Sequence, residues 1–365
     1  MRRVSIAIIL SVCLSCTLQA QDAQELFKFG KFNFDNQEYT EAVGFLNQAI
    51  EKDSLYINAY YLRAQTFYEI GQFYNSILDI NKIFKTEKSP SPYDGYYYLT
   101  RGKSFLALDD FSNASIDFEK SLTLLNDNSA VHYYKALLGF ATLNYKEAIE
   151  AIDIAINYEA DNPDYYALRA KIKIHFTNPV PTSEDYQSIL GDINVAIALS
   201  PDSHEYYLIR SNFLNSMGEV EAALSDYNTV IKLSPKKEEA YTERGVIKMN
   251  NYDYRSAALD FTKSIIINPT DERNYRYRGL CYNNLDNHSD AFKDFSKSID
   301  LLSIQLGSSS DKDLIKSTLG ETYLLRGHCL NLMGNNAQAC RDFLQAHNLG
   351  VKKGLNYYRK FCGIY

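Results

Sequence analysis

The chain has 365 residues, 45% of them hydrophobic, and a formal net charge of -7. Its 17 glycines and 8 prolines are too few for a collagen-like or disordered chain, so the composition predicts a folded protein. No Lys/Arg-rich patch offsets the acidic balance, which excludes nucleic acid as a partner because such binding depends on neutralised phosphates.

The first twenty residues have the layout of a secretory signal peptide. A basic start at Arg2 and Arg3 precedes the apolar run 4–12, and the segment ends on the small residue Ala20. The apolar run is too short to span a membrane comfortably. We therefore predict cleavage after Ala20 and a secreted or periplasmic protein of the cell envelope. Cleavage removes both arginines and changes the net charge from -7 to -9.

A lipid anchor is the alternative interpretation of the same segment. Cys16 is then the acylated residue of a lipoprotein, although Cys13 stands where a lipobox normally has leucine. No later segment approaches eighteen continuous apolar residues, so the sequence predicts no transmembrane span after signal cleavage.

An internal repeat of about 34 residues organises the rest of the chain. Pro201, Pro235 and Pro269 are 34 residues apart, and each follows an apolar helical run that it ends. The same period places small residues in register at Gly30, Ala64, Gly102, Ala136, Ala170, Ser211, Gly245, Gly279 and Gly327. Further small residues follow in most repeats, which lets two antiparallel helices approach closely.

This pattern resembles the tetratricopeptide repeat, a unit of 34 residues with small residues at positions 8, 20 and 27 and proline at position 32. The resemblance covers nearly all of the mature chain. It implies an all-α fold: a right-handed α-solenoid of about nine helix-turn-helix units with a C-terminal capping helix. We number the repeats 1 to 9 from the residues near which they begin: Ala23, Ile57, Gly95, Ser129, Pro163, His204, Glu238, Glu272 and Gly320.

Two insertions and a cap complete the predicted organisation. The segments are the signal peptide at 1–20, repeats 1 to 5 at 21–175, an insertion at 176–187, the end of repeat 5 with repeats 6 to 8 at 188–302, an insertion loop at 303–319, repeat 9 at 320–350 and a capping helix at 351–365. The run Gly307-Ser308-Ser309-Ser310 predicts a flexible loop. We expect the last helix to cover the apolar face of repeat 9.

One charge pattern goes beyond the general features of the family. Position 7 is arginine in seven repeats, and position 23 is aspartate in the same seven. The pairs are Arg63 and Asp79, Arg101 and Asp117, Arg169 and Asp192, Arg210 and Asp226, Arg244 and Asp260, Arg278 and Asp294, and Arg326 and Asp342. The two other repeats have Phe29 with Phe45 and Lys135 with Ala151. This joint loss predicts structural ion pairs within each repeat rather than a charged ligand-binding surface.

No motif has the spacing of a catalytic or metal site. Gly102-Lys103-Ser104 resembles the end of a phosphate-binding loop, but Tyr97 stands where that motif needs glycine. The six histidines form no zinc-ligand spacing with one another or with cysteine. We therefore expect no enzyme, no metal and no cofactor.

Four cysteines remain after the predicted cleavage: Cys281, Cys329, Cys340 and Cys362. An oxidising location permits disulfides. A bridge between Cys340 and Cys362 is a possible link from the closing helix to repeat 9, and Cys281 and Cys329 leave other pairings open.

The resemblance also implies a binding surface, because the first helices of such repeats line a concave groove, mainly through positions 2, 5, 9, 12 and 13. Its aromatic candidates are Tyr61, Tyr68, Tyr96, Tyr133 and Phe140, and its polar candidates are Asn212, Asn215, Asn250, Asn283, Asn284 and Asn331. Tyrosine supplies apolar area at low entropic cost, and asparagine suits a peptide backbone or the hydroxyls of a sugar.

The leading hypothesis is a non-enzymatic scaffold or adaptor of the cell envelope that binds a peptide or protein segment in this groove. A glycan-binding module and a structural subunit of a larger envelope assembly are the alternatives. The chaperone-type carboxylate clamp is not expected, because Leu208 stands where that clamp needs lysine.

Overall fold

Short helices arranged in pairs make up the fold. The computed structural model describes residues 22–87, 91–177, 181–308 and 311–363. Nineteen helices and no strand lie within these ranges. The predicted signal peptide, with Cys13 and Cys16, lies outside them. The chain divides between Leu199 and Ser200 into an N-terminal body and a C-terminal body.

The N-terminal body contains ten helices in five pairs. They are α1 (22–35), α2 (Tyr39–Lys52), α3 (Ile57–Glu69), α4 (Phe73–Thr86), α5 (Asp94–Ala107), α6 (Phe111–Leu124), α7 (Ser129–Ala141), α8 (Tyr145–Tyr158), α9 (Pro163–Phe176) and α10 (Ser183–Leu199). Each pair coincides with one predicted repeat, and we call the pairs hairpins 1 to 5.

The C-terminal body contains hairpins 6 to 9 and a closing helix. Its helices are α11 (His204–Ser216), α12 (Val220–Leu233), α13 (Glu238–Asn250), α14 (Tyr254–Ile267), α15 (Glu272–Asn284), α16 (His288–Ser308), α17 (Lys312–Leu332), α18 (Asn336–Asn348) and α19 (Lys352–Cys362). Tyr357, Tyr358 and Phe361 of α19 pack against Leu330 and Phe343 of hairpin 9. No helix in the described ranges is both long enough and apolar enough to cross a membrane.

Local sequence determines where the helices begin and where the hairpins turn. Side chains that accept a hydrogen bond from a first-turn backbone N–H precede eight helices: Asp110, Asn128, Asn162, Thr182, Asp253, Asp271, Asn287 and Asp311. In eight hairpins the turn residue at position 15 has φ between 58° and 81°. This residue is Gly218 in hairpin 6, but Leu143 in hairpin 4 and Tyr252 in hairpin 7, where the side chain strains the backbone.

The two helices of a hairpin pack through matched sizes at positions 8 and 24. Where position 8 is Gly102, Gly245, Gly279 or Gly327, position 24 is Phe118, Phe261, Phe295 or Phe343, and these rings are at most 1% exposed. A Cβ atom on Gly245 would lie 2.8 Å from the Phe261 ring. Where position 8 is Ala64, Ala136 or Ala170, position 24 is the smaller Ile80, Ile152 or Ile193. In these seven hairpins a large residue faces a small one, which lets the two helices pack closely.

The prediction of an insertion loop at 303–319 is wrong for most of that segment. Helix α16 continues to Ser308, and α17 begins at Lys312, eight residues before the predicted start of repeat 9. Apolar residues in the segment and just before it keep helical spacing: Ile299, Leu302 and Leu306 pack with Ile315 and Leu319. This packing extends both helices. Residues 309 and 310 of the predicted flexible loop lie outside the described ranges.

The segment between α9 and α10 is also shorter than the insertion predicted at 176–187. Helix α9 ends at Phe176 and α10 begins at Ser183, so the last five residues of the predicted insertion at 176–187 are helical. Residues 178–180 lie outside the described ranges. Acidic residues in the first turn, Glu184 and Asp185, favour this early helix start.

Candidate functional site

Seven arginines link the two helices of their own hairpins. In each of the seven predicted pairs, the arginine Nε and Nη2 atoms donate to the two aspartate oxygens at 2.6–3.0 Å. The aspartates are only 1–5% exposed. Two parallel hydrogen bonds fix the angle between the helices. We call this set of pairs the arginine ladder.

The ladder has two further components that the sequence analysis missed. The Nη1 atoms of six ladder arginines donate, at 2.5–3.1 Å, to position 25 of the preceding repeat: Asn47, Asn81, Asp153, Asn228, Thr262 and Ser296. All seven guanidinium carbons lie 5.3–5.9 Å from a ring at position 4: Tyr60, Tyr98, Tyr166, Tyr207, Tyr241, Tyr275 and Tyr323. The ladder therefore joins neighbouring hairpins as well as the helices within one.

Hairpins 1 and 4 fill the ladder position differently. In hairpin 1 the ring centres of Phe29 and Phe45 are 5.6 Å apart. In hairpin 4 the Nζ atom of Lys135 lies 2.7 Å from Glu119, which is position 25 of repeat 3. Ala151 offers no carboxylate on α8. The contact between hairpins 3 and 4 is thus kept, while the contact within hairpin 4 is lost.

Burial determines the energetics of the ladder. Burial raises the pKa of Asp79, although the hydrogen bonds and charge of Arg63 oppose this change. A hydrogen bond to Asp226 raises the pKa of Arg210, so its guanidinium stays charged. Removing one partner of a buried pair costs about 3–5 kcal/mol, whereas an exposed pair contributes under about 1 kcal/mol. These magnitudes favour a structural role for the ladder.

The predicted aromatic residues lie on the surface built by α3, α5, α7 and α9, where successive first helices contact one another. We call this surface, and its counterpart on α11, α13, α15 and α17, the first-helix face. The ring centres are 4.9 Å apart for Tyr61 and Tyr97, 5.1 Å for Tyr133 and Tyr165, and 5.2 Å for Phe140 and His175. Burial raises the pKa of Tyr61 and raises that of Tyr97 to about 12. Tyr96 is 40% exposed and extends toward solvent.

A lysine lies among these rings. The Nζ atom of Lys103 is 4.2 Å from the centre of the Tyr68 ring and 4.9 Å from that of Tyr134, and the two tyrosines share a hydrogen bond. Burial lowers the pKa of Lys103, and the nearby charge of Glu69 opposes this change. Within the described ranges, no carboxylate forms a salt bridge with this ammonium. In the sequence, Lys103 stands out only as part of a false phosphate-binding motif.

The other two residues of that motif pack inside hairpins 2 and 3. A Cβ atom on Gly102 would lie 2.7 Å from the Phe118 ring, so the glycine permits helix packing. The hydroxyl of Ser104 contacts the Ser76 hydroxyl at 3.0 Å and donates to the carbonyl of Thr100. These contacts account for both residues without a phosphate.

The predicted asparagines divide into two groups. Three bond within the chain: Asn212 accepts from Tyr227 at 2.6 Å and donates to Glu239 at 3.1 Å, Asn283 contacts His288 at 3.0 Å, and Asn284 donates to the Leu280 carbonyl at 2.9 Å. The side chains of Asn215, Asn250 and Asn331 have no such partner in the part of the chain that the structure describes. Asn250 is exposed, and the other two are half-buried.

Charged residues accompany these asparagines on α13 and α15. Burial raises the pKa of Glu243, and the charge of Arg273 opposes this change. The Nε atom of Arg276 is buried without a hydrogen bond, and its nearest carboxylate oxygen, on Glu272, is 3.6 Å away. Arg276 occupies groove position 5, so this orphaned donor belongs to the candidate surface.

A disulfide joins Cys340 of α18 to Cys362 of α19, with Cα atoms 5.8 Å apart. Cys281 and Cys329 are free and buried. Burial raises the pKa of Cys281 to about 12 and that of Cys329 to about 11. Both thiols therefore stay protonated at neutral pH. No cluster of three metal-ligating side chains occurs in the described ranges.

Comparison with known proteins places one of these hairpins in a family. The profile of the tetratricopeptide repeat matches residues 204–237, which contain α11 and α12. The chain is similar to DnaJ homolog subfamily C member 3 of Gallus gallus, with 26% identity over 216 residues that cover 56% of this chain and 41% of that protein. The match thus spans about two-fifths of the length of that relative.

Solved structures give similarities at lower identity. PilW, a type IV pilus biogenesis factor, is 15% identical, with a TM-score of 0.48 over 63% of this chain and 97% of that one. A tetratricopeptide repeat protein from Parabacteroides merdae is 16% identical, with a TM-score of 0.46 over 73% of this chain and 97% of that one.

Proposed function

We infer that this chain, a tetratricopeptide repeat protein, is a scaffold that holds a protein or peptide segment on its first-helix faces. The observation that carries the proposal is the environment of Lys103. Its ammonium lies between two tyrosine rings without a carboxylate partner in the described ranges. A half-buried ammonium that forms no salt bridge in the described ranges, and has only the nearby charge of Glu69 to balance it, favours an incoming anionic group.

The N-terminal face suits an extended segment with apolar side chains and one acidic group. Tyr96 is exposed, and Tyr61 and Tyr133 are half-buried, so aromatic area remains available beside Lys103. An aspartate or glutamate placed near Lys103 would replace part of the hydration that burial removes from the ammonium. The rings would cover the neighbouring apolar side chains of the segment.

The C-terminal face offers backbone recognition instead. Asn215, Asn250 and Asn331 present amides with both a donor and an acceptor, and these amides make no hydrogen bond in the described ranges. These groups match the alternating donors and acceptors of an extended peptide. Asn212, Asn283 and Asn284 are already bonded within the chain and serve this role less well.

Site-specific photocrosslinking in the cells that make the protein tests the proposal. A photoreactive phenylalanine replaces Tyr96 on the first-helix face or, as the control, Tyr74 on α4, whose side chain is 67% exposed. We expect a covalent adduct with a partner polypeptide from position 96 and none from position 74. Lys103→Met should reduce the adduct at position 96. Equal adducts at both positions would place the partner elsewhere.

The same protein can be tested against the glycan alternative. Cell-wall glycans that bind the native state raise the melting temperature, by RT ln(1 + [L]/Kd) in free energy. We expect no shift with glycans. A shift that Asn250→Ala abolishes, together with no polypeptide adduct, would favour the glycan-binding module.

We also propose that the protein is exported to the cell envelope. The basic and apolar pattern of residues 1–20 supports this location, and the disulfide between Cys340 and Cys362 suits an oxidising compartment. Mass spectrometry of the mature protein tests it: we expect an N-terminus at Gln21. An acylated Cys16 at the N-terminus would support the lipoprotein alternative, and an intact Met1 would contradict export.

A scaffold without catalytic activity is part of the proposal. The free thiols are buried and protonated, and the phosphate-loop motif is accounted for by helix packing. Binding therefore rests on surface complementarity alone.

A further inference from the structure

The missing rung of the ladder in hairpin 4 coincides with an open cleft. Helices α6 and α8 form its walls and α7 its floor, and its volume is about 520 Å³. His132, Lys135 and Ala151 line it at positions 4, 7 and 23. In the seven ladder hairpins these positions hold the tyrosine, the arginine and the aspartate. Hairpin 4 has therefore lost the guanidinium and its carboxylate together, and the imidazole of His132 replaces the tyrosine ring.

A matched cleft in the C-terminal body shows what normally fills this place. Between hairpins 8 and 9 the equivalent positions are Tyr323, Arg326 and Asp342, and that cleft is smaller, at about 370 Å³. The guanidinium of Arg326 occupies its floor and bonds both Asp342 and Ser296. Where the arginine is present, it fills part of the cleft.

The rims of the two clefts carry different charges. Positions 19 and 22 are Glu147 and Glu150 in hairpin 4, but Gln338 and Arg341 in hairpin 9. Neither glutamate has a side-chain partner in the described ranges. The only ammonium in the cleft, Lys135, is engaged by Glu119. Hairpin 4 thus combines the space for a guanidinium with two unpaired carboxylates at its rim.

We propose that this cleft receives an arginine side chain from a partner protein, which supplies in trans the rung that hairpin 4 lacks. The guanidinium stacks on the His132 ring, as the ladder arginines lie over the tyrosines at position 4. Glu147 and Glu150 accept its N–H groups in place of the missing aspartate. Arginine fits better than lysine because its planar group stacks and bonds two carboxylate oxygens at once.

This site opens between the second helices α6 and α8, and its lining contains none of the residues proposed to bind on the first-helix face, so it does not depend on that face. If no adduct forms at position 96, the proposal for the cleft still stands. If the cleft does not bind arginine, the binding proposed for the first-helix face still stands.

Methyl NMR of the full chain with a defined probe tests the proposal. The probe is the blocked pentapeptide acetyl-Gly-Gly-Arg-Gly-Gly-amide, and the reporters are the methyl groups of Leu138, Ala151 and Ile154, which line the cleft. We expect saturable shifts at these methyls, and binding at least about tenfold weaker when citrulline replaces arginine, because the charge-assisted hydrogen bonds are lost. A lysine peptide should also bind more weakly.

Two variants make the test specific. Lys135→Arg combined with Ala151→Asp rebuilds the rung within the chain and should abolish the shifts at Leu138 and Ile154, the two reporters that this variant keeps. Glu147→Gln combined with Glu150→Gln should weaken binding about tenfold or more. The control Glu205→Gln with Glu221→Gln removes the same charge from the C-terminal body and should leave binding unchanged. Absent shifts, equal binding of the citrulline or lysine peptide, or unchanged binding by the rebuilt variant would each overturn the proposal.

Discussion

Hairpins 1 and 4 have both lost the arginine and the aspartate of the ladder, but the replacements have opposite character. Hairpin 1 holds two phenylalanine rings 5.6 Å apart, which restore packing without charge. Hairpin 4 keeps one ion pair, from Lys135 to Glu119, and leaves a cleft of about 520 Å³. Replacing a buried ion pair with apolar residues is often neutral or stabilising. The aromatic pair thus serves stability, whereas the open cleft leaves room for a partner.

The comparison of hairpins 1 and 4 assumes that removing one partner of a ladder pair lowers the free energy of unfolding by several kcal/mol, about 3–5 kcal/mol for a buried pair. Asp117→Ala removes a carboxylate that is 1% exposed and leaves Arg101 buried without its partner. We expect a loss of about 3–5 kcal/mol in the stability of hairpin 3, and recovery of part of it when Arg101→Leu is added. Urea unfolding with hydrogen exchange of α5 and α6 measures both changes.

This pair is a better choice than Arg244 and Asp260, because Lys248 also contacts Asp260 at 2.7 Å and would remain in the double variant. The control is Asp313→Ala, whose side chain is 98% exposed and should change stability by under about 0.5 kcal/mol. If the double variant is as unstable as Asp117→Ala alone, the unpaired guanidinium of Arg101 is not the cause of the lost stability.

The sequence predicts the parts of the ladder whose residue types repeat, and it does not predict the part whose residue type varies. Positions 7 and 23 are invariant among seven repeats and change together, so one chain was enough to pair them. The acceptor at position 25 varies among Asn47, Asp153, Thr262 and others, and its contact crosses to the next repeat. Each residue at position 25 offers an oxygen atom as acceptor, but the residue type differs between repeats. A comparison of identical residues therefore does not reveal this position.

The remaining misses have physical causes as well. Gly307 and its serine neighbours predicted a loop from local preference, whereas Leu306 and Ile315 extend the helices through tertiary packing. Lys103 stands at groove position 9 but is neither aromatic nor an amide, and its environment arises only when Tyr68 and Tyr134 come from neighbouring hairpins. The pattern of a single repeat does not predict the contacts between repeats.

A second prediction asks whether lysine can serve in the ladder as it does in hairpin 4. Arg101→Lys keeps the charge but cannot keep both hydrogen bonds to Asp117 and the third to Asn81. We expect a loss of about 1–3 kcal/mol, since buried acceptors are left unpaired. The reverse change, Lys135→Arg, meets Ala151 on α8 and should change stability by under about 1 kcal/mol. An Arg101→Lys protein with unchanged urea unfolding would contradict this account.

A third prediction concerns the aromatic rung. Phe29 is 49% exposed, so Phe29→Ala should cost about 0.5–1.5 kcal/mol, mainly through the lost contact with Phe45. Phe118→Ala is the comparison, because that ring is fully buried and its loss should cost about 3–5 kcal/mol. Hydrogen exchange of α2 and α6 separates the two effects. Equal losses would mean that the phenylalanine pair carries as much stability as the core of a hairpin.

The smallest expected effect lies in the turn of hairpin 4. Leu143 has φ of 63°, in the left-handed region, and its side chain is 69% exposed. Leu143→Gly relieves strain of about 1–2 kcal/mol but adds an entropic cost of folding of about 0.5–1 kcal/mol, so we expect a net gain of about 0–1.5 kcal/mol. Gly218 occupies the same position in hairpin 6, and Gly218→Leu should lose a similar amount. A lower urea midpoint for Leu143→Gly would show that the leucine side chain stabilises hairpin 4 by more than its backbone strain costs. Hairpin 4 would then have a source of stability besides the ladder.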